Sequence, residues 1–170
     1  MAVTVRRLEP ADDRRGFRSG NIELDRFFER FAGQNQFRYH IGTTYIAIDD
    51  GTILGFATVS ASELTTASLP EPRRKRLPGY PLPVLRLARL AVDERAQGRG
   101  VASTLLRHVF ALARVMATDV GCVGVVVDAK SAAVGFYEKL GFVSLEPLAG
   151  KLGDRPQPLP MFIELGGIAK

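Results

Sequence analysis

The chain holds one cysteine, Cys122, in 170 residues. A single thiol excludes an intrachain disulfide and a cysteine-rich zinc site, and no metal site is expected. Histidine is almost as scarce, His40 and His108 being the only two. The opening MAVTVRRLEP lacks the apolar core of a secretory signal. No apolar run approaches the roughly 20 residues that a membrane helix needs. A cytoplasmic protein is the expectation. Without an internal repeat, a low-complexity tract or a composition break, one domain spanning residues 1–170 is expected.

What is present is ordinary for a globular chain: 46% hydrophobic and 24% charged residues, enough to bury a core. The formal net charge of +5 favours anionic partners, such as a phosphorylated cofactor or a nucleic acid.

Periodicity places the elements. Val3 to Leu8 reads as a short strand. Leu24, Phe27, Phe28 and Phe31 fall at i, i+3, i+4 and i+7, which predicts an amphipathic helix over Asn21 to Phe31. Thr43 to Ile48 and Ile53 to Ser60 flank Asp49-Asp50-Gly51-Thr52 as a hairpin. Leu69 to Pro83 carries five prolines and is expected to be a loop. A strand over Leu85 to Val92 precedes a helix from Val101, with apolar positions from Ala102 to Val120 and a stop at Gly121. The valine-rich Cys122 to Val127 suits a buried strand. A helix from Ser131 to Leu140 and strands over Phe142 to Leu145 and Met161 to Leu165 complete an α/β chain with at least one parallel crossover.

The stretch joining that strand and long helix, Asp93 to Gly100, carries the chemistry. A helix N-terminus directs unpaired N–H groups and the positive end of a dipole at whatever lies before it. Gly98 and Gly100 let the backbone approach a ligand closely, and Arg95 and Arg99 add charge. Gly100-Val101-Ala102 is not the Gly-Lys-Ser/Thr of a Walker loop, and Ser103 breaks the dinucleotide fingerprint.

Arg95-x-x-Gly98-x-Gly100 resembles the signature of the GCN5-related N-acetyltransferases (GNAT). Leu90-Ala91-Val92-Asp93 is similar to the strand before it, and Phe136-Tyr137-Glu138-Lys139-Leu140-Gly141-Phe142 to that family's last-helix segment. The resemblance implies the GNAT fold, a mixed and mostly antiparallel twisted sheet with helices on both faces. It implies acetyl-CoA as donor, bound through Leu90, Ala91, Val92, Arg95, Gln97, Gly98, Arg99, Gly100, Val101, Ala102 and Phe136. It also makes Tyr137 the group that donates to the departing thiolate, and the main-chain N–H of Leu90 or Val92 an oxyanion-type donor.

Phe17-x-Ser19-Gly20-Asn21-x-x-Leu24-Asp25-x-Phe27, Arg89-Leu90-Ala91-Val92-Asp93 and Val127-Asp128-Ala129 extend the resemblance to the GNAT toxins of type II toxin–antitoxin modules. The departures are a long Gly150 to Pro160 connection and Gly135 in the last helix. The toxins acetylate the α-amine of aminoacyl-tRNA, commonly dimerise, and are neutralised by a ribbon-helix-helix antitoxin. On that reading Arg73, Arg74, Lys75, Arg76, Arg86 and Arg89, with Arg14, Arg15 and Arg18, offer cations to tRNA phosphates. Arg89 has a second reading as part of the fold beneath the cofactor. The alternatives are acetylation of a small amine or a protein N-terminus, and a non-catalytic acetyl-CoA-binding regulator. For a general base His40, His108 and Glu63 remain open, and a partly neutral amine needs none.

Overall fold

The computed structural model describes residues 2–145 and 158–168. Its elements run β1 (Thr4–Arg7), α1 (Ile22–Arg26), β2 (Thr43–Asp49), β3 (Thr52–Leu64), α2 (Glu71–Arg74), β4 (Leu82–Val92), α3 (Val101–Asp119), β5 (Gly124–Ala129), α4 (Val134–Lys139), β6 (Val143–Ser144) and β7 (Leu159–Glu164). The strands form one sheet in the order β1-β2-β3-β4-β5-β7-β6. β4 and β5 are sheet neighbours joined through α3, the connection a parallel pair requires. β1 pairs with β2, β2 with β3, β5 with β7 and β6 with β7 in antiparallel register. The mixed sheet expected from the sequence is therefore present.

The chain divides into two compact units, residues 1–60 with 87–111 and residues 61–86 with 112–170. In the first unit, β2 and β3 form the expected hairpin, closed by left-handed Asp50 and Gly51. This conformation matches the twist of paired strands. The core of this unit is phenylalanine: Phe28 stacks on Phe56 at 4.4 Å, and Phe17 meets both edge-on at 5.0 and 5.5 Å. Phe27, Leu8, Ile46 and Ala91 complete the cluster.

The helix after Asn21 departs from expectation. It is α-helical to Arg26, π-helical over Phe27–Phe31, α-helical again at residues 32–33 and π-helical over Gln34–Arg38. In the first wide turn, the Ala32 N–H reaches the Phe27 carbonyl, an i→i+5 bond. Ala32 becomes buried beside Phe27 and Phe28, whereas Phe31, expected in the core, is 42% exposed.

The second unit builds its core from Leu64, Leu69, Val84, Val126, Leu145 and Phe162. The segment expected as a loop contains the helical turn α2, which Pro70 precedes as N-cap with Pro72 inside the first turn. Proline is harmless there because those N–H groups have no intrahelical acceptor. β4 starts at Leu82, three residues earlier than expected, and the Pro83 carbonyl accepts from the Val123 N–H at 2.9 Å. Val120, expected on the apolar face of α3, lies past the helix end and is 83% exposed. The N–H groups of Val120 and Gly121 both turn back to the Met116 carbonyl, lifting Val120 off that face. Gly150 to Gln157 of the long connection lie outside the described residues. Among the described residues no helix is long and apolar enough to cross a membrane.

Candidate active site

In the first unit, Asp93 directly follows β4 and caps a single 3-10 turn, Glu94–Ala96. Its side chain is 2% exposed. It accepts from the main-chain N–H of Arg95 at 3.0 Å and of Arg18 at 3.2 Å, and from the Arg95 Nε at 2.9 Å. Burial pushes the Asp93 carboxyl up, but the Arg95 and Arg18 hydrogen bonds outweigh it and hold the pKa below the usual carboxylate value. Gln97 braces the same loop, donating to the Ser19 carbonyl at 2.9 Å and to the Val92 carbonyl at 3.0 Å. Its side-chain amide is thus spent on the protein, which leaves its main chain for a ligand.

Past this brace Gly98 and Gly100 take φ of +78° and +81°. A Cβ at either would meet no protein atom within 4 Å, so the space over the loop is open. The Gly100 carbonyl receives the first α3 hydrogen bond, from the Thr104 N–H at 3.0 Å. Helix geometry leaves the N–H groups of Val101, Ala102 and Ser103 without intrahelical acceptors. Arg99 is exposed with no side-chain partner among the described residues. Positive backbone curvature, orphan donors and a free guanidinium fit a pyrophosphate. On β4 Ala91 is packed in the phenylalanine core, and its neighbours Leu90 and Val92 are half-buried.

The Phe17-to-Phe27 motif has a structural account. The Asn21 side chain caps α1 by accepting from the Leu24 N–H at 3.0 Å, while Ser19 Oγ donates to Asp25 at 2.7 Å. Arg89 lies over the Phe27 ring at 3.7 Å, a cation–π contact that supports its reading as part of the fold. Arg14 donates to the Phe28 carbonyl, Arg15 pairs with Asp13, and Arg18 donates to the Phe17 carbonyl. His108 is half-buried against Tyr45, ring centres 4.5 Å apart, and burial lowers its pKa. His40 is exposed with φ of +54° just before β2.

In the second unit Tyr137 sits on α4 between Phe136 and Phe142, edge-on to each at 5.3 and 5.2 Å. Burial pushes its phenol up to about 12, so it stays protonated at neutral pH. No fully buried side-chain polar atom lacks a partner among the described residues. The Tyr137 hydroxyl makes no hydrogen bond to them, which places its oxygen within reach of solvent.

The basic run is largely engaged within the same unit. Arg73 and Arg76 share the Glu164 carboxylate at 3.1 and 3.3 Å, Arg74 donates to the Leu69 carbonyl, and Arg86 pairs with Asp128. Lys75 makes only an exposed pair with Glu71 at 3.6 Å. Glu63 is exposed on β3.

The acetyltransferase (GNAT) domain family matches residues 40–144. The chain belongs to the GNAT acetyltransferases. It is 33% identical over 138 residues to the tRNA-acetylating toxin of Mycobacterium tuberculosis (strain ATCC 25618 / H37Rv), covering 81% of this chain and 82% of that one. Its fold matches AtaT complexed with acetyl-methionyl-tRNAfMet with a TM-score of 0.83 and 28% identity, over 97% of this chain and 96% of that one. A mutant AtaT toxin bound to the C-terminus of the antitoxin AtaR matches with a TM-score of 0.75 and 25% identity, over 98% and 94%. For this GNAT chain the donor is acetyl-CoA, the family's acetyl source.

The sequence missed the Asp93 brace, the tandem π-turns and the Glu164 hub. An aspartate directly before a short Glu-Arg-Ala turn carries a capping signal that points to the first. Nothing in the apolar spacing distinguishes a π-turn from an α-turn.

Proposed function

We propose that this chain, acting as one acetyltransferase domain, moves the acetyl group of acetyl-CoA to the α-amine of an aminoacyl-tRNA and thereby blocks translation. The observation that carries this reading is the likeness, over nearly the whole chain, to AtaT in complex with acetyl-methionyl-tRNAfMet. A ribbon-helix-helix antitoxin, a homodimer and a cytoplasmic setting belong to the same reading.

When bound, acetyl-CoA supplies the activated thioester. The first-turn amides of α3, with Gly98 and Gly100, hold its pyrophosphate. Main-chain N–H groups of Leu90 or Val92 polarise the thioester carbonyl. Tyr137 donates from its hydroxyl to the leaving sulfur. A phenol pushed up to about 12 is a weaker acid than a thiol near 8.5, so its main contribution is a hydrogen bond that strengthens as negative charge develops on sulfur.

No base is required if the amine arrives neutral. A free α-amine titrates near 7.7–8.0, and the ester of an aminoacyl-tRNA lowers that further. The burial of His108 against Tyr45 and the exposed settings of His40 and Glu63 agree with a reaction that needs none of them.

The test is incubation with labelled acetyl-CoA and bulk charged tRNA, followed by hydrolysis and identification of N-acetylated amino acids. Label in one or a few acetyl-amino acids is expected. Label only in free amines or protein N-termini overturns the tRNA reading and leaves the acetyltransferase.

A further inference from the structure

The Phe17-to-Phe27 motif divides into two sets of residues. Phe17, Leu24 and Phe27 pack in or against the phenylalanine core, and Asn21 caps α1. Burial and capping leave Ser19, Gly20 and Asp25 without a task.

Those three meet at one backbone crossing. Asp25 accepts from the Ser19 N–H at 3.0 Å and from Ser19 Oγ at 2.7 Å, and the same Oγ accepts from the Asn21 N–H at 3.1 Å. With its N–H and hydroxyl tied to α1, Ser19 keeps its carbonyl for Gln97 Nε2 at 2.9 Å. Arg18 is held to the same stretch: its carbonyl accepts from the Glu94 N–H at 2.8 Å, and its N–H donates to Asp93 at 3.2 Å. Gly20 has φ of +96°, and a Cβ there would come within 3.2 Å of Glu94 Oε1. A side chain at position 20 would therefore press the two segments apart.

The far end of this crossing is the stretch that enters Gly98. Residues 93–97 hold only one 3-10 turn, so their position depends on hydrogen bonds supplied from outside. The Gln97 amide spends its donors on the Ser19 and Val92 carbonyls, one from the motif and one from β4. A shift of Ser19 is thus passed to Gln97 and to the main chain directly before the glycines. Displacements of that kind cost binding and rate even when they start away from the ligand. A direct role for Ser19 and Asp25 on the acceptor is a poorer match, because the Ser19 N–H, hydroxyl and carbonyl and both Asp25 oxygens are engaged within the protein.

We propose that Asp25 is a positioning residue for the acetyl donor. It holds Ser19, Ser19 holds Gln97, and Gln97 sets where the chain enters the pyrophosphate cradle. Asp25 itself touches no part of acetyl-CoA. The inference rests on the cradle reading of Gly98 and Gly100 above.

The test uses the full chain, with acetyl-CoA binding read by calorimetry and acetyl transfer to charged tRNA read by initial rates. Asp25→Ala should weaken acetyl-CoA binding by about tenfold, the scale of lost hydrogen bonds to a charged acceptor. KM for acetyl-CoA should rise in step, while KM for charged tRNA holds. Asp25→Asn keeps a carbonyl oxygen for Ser19 and should recover most of the affinity. Gln97→Leu should weaken binding at least as much as Asp25→Ala, and the double variant should be no worse than Gln97→Leu alone, since the two act in series. Ile46→Val, a trim of the same unit's core, should lower Tm and leave acetyl-CoA affinity unchanged.

Wild-type acetyl-CoA affinity in folded Asp25→Ala overturns the proposal. So does a rise confined to KM for charged tRNA, which would assign the motif to the acceptor. An Ile46→Val loss of affinity in proportion to its Tm would reduce the effect to general destabilisation and overturn it as well. Should Asp25→Ala fail to fold, Ser19→Ala decides in its place: a loss of about threefold supports the role, and unchanged affinity overturns it. Gly100→Val separates the two readings. If it also binds acetyl-CoA like wild type, the cradle fails and the positioning role falls with it; if it loses binding while Asp25→Ala does not, the positioning role alone falls.

Discussion

The Asp93 carboxylate holds Arg95 twice, through its main-chain N–H at 3.0 Å and its Nε at 2.9 Å, and anchors the Arg18 N–H as well. One buried acid thus fixes the loop proposed to hold the pyrophosphate. Asp93→Asn should lower unfolding free energy by about 1–3 kcal/mol, the cost of weakening hydrogen bonds to a buried charge. The sign with pH follows from the depressed folded pKa: the stabilisation is full above the unfolded value near 3.9 and lost as pH falls through the folded one. Urea melts of both proteins should therefore differ most at neutral pH and converge in acid.

Gly98 and Gly100 test the cradle itself. Their φ values near +80° strain any side chain, yet the open space around each means no protein atom must move. Gly100→Val should cost about 1–2 kcal/mol of stability while reducing acetyl-CoA affinity beyond detection, since the side chain would fill the open space proposed for the phosphates. Calorimetry on the folded variant decides it. Unchanged affinity would remove the loop from the cofactor site.

The basic run makes a more graded prediction. Arg73 and Arg76 already share Glu164, so replacing Arg73, Arg74, Lys75 and Arg76 by serine should flatten the salt dependence of tRNA binding by less than four phosphate contacts require. Glu164→Gln should steepen it by freeing both arginines. Filter binding across a salt series measures each, with acetyl-CoA affinity as the control. Unaltered slopes in both variants would leave the run as an anchor for α2.

Much of this was legible from residue order because the signals were local. The hairpin at Asp50-Gly51, the strand into Asp93, the α3 face and the stop at Gly121 each follow from periodicity and turn chemistry within a dozen residues. Phe31 was misplaced because a π-turn changes the period without changing the apolar pattern, and its brace, Arg14, reaches the Phe28 carbonyl from outside the helix. The loop glycines and Tyr137 stand out through their motifs, and the roles those motifs imply are for the variants here to decide. The Glu164 hub was not legible, since its arginines lie some ninety positions away and attraction of that kind leaves no spacing to read.

Gly135 offers a test of α4. It lies exposed in the first turn, without a positive φ, and a Cβ there would meet no atom within 4 Å. Gly135→Ala should stabilise the protein by up to about 1 kcal/mol, the helix-propensity difference. Thermal melting would register it as a small rise in Tm.

Tyr137 carries the sharpest prediction. Tyr137→Phe keeps the ring between Phe136 and Phe142 and deletes only the hydroxyl, so melting near neutral pH should change little. If that hydroxyl donates to the departing sulfur, single-turnover acetyl transfer should fall about a hundredfold or more, with acetyl-CoA affinity preserved. Expression of the variant should no longer arrest growth. The phenol supplies a second readout. Burial raises its folded pKa to about 12 above an unfolded value near 10, so the neutral form's stabilisation is full below pH 10 and drains away between 10 and 12. Wild type should lose that increment in alkali while Tyr137→Phe does not. A rate equal to wild type, with the alkaline difference intact, would keep Tyr137 buried as described and move catalysis to the β4 amides and proximity.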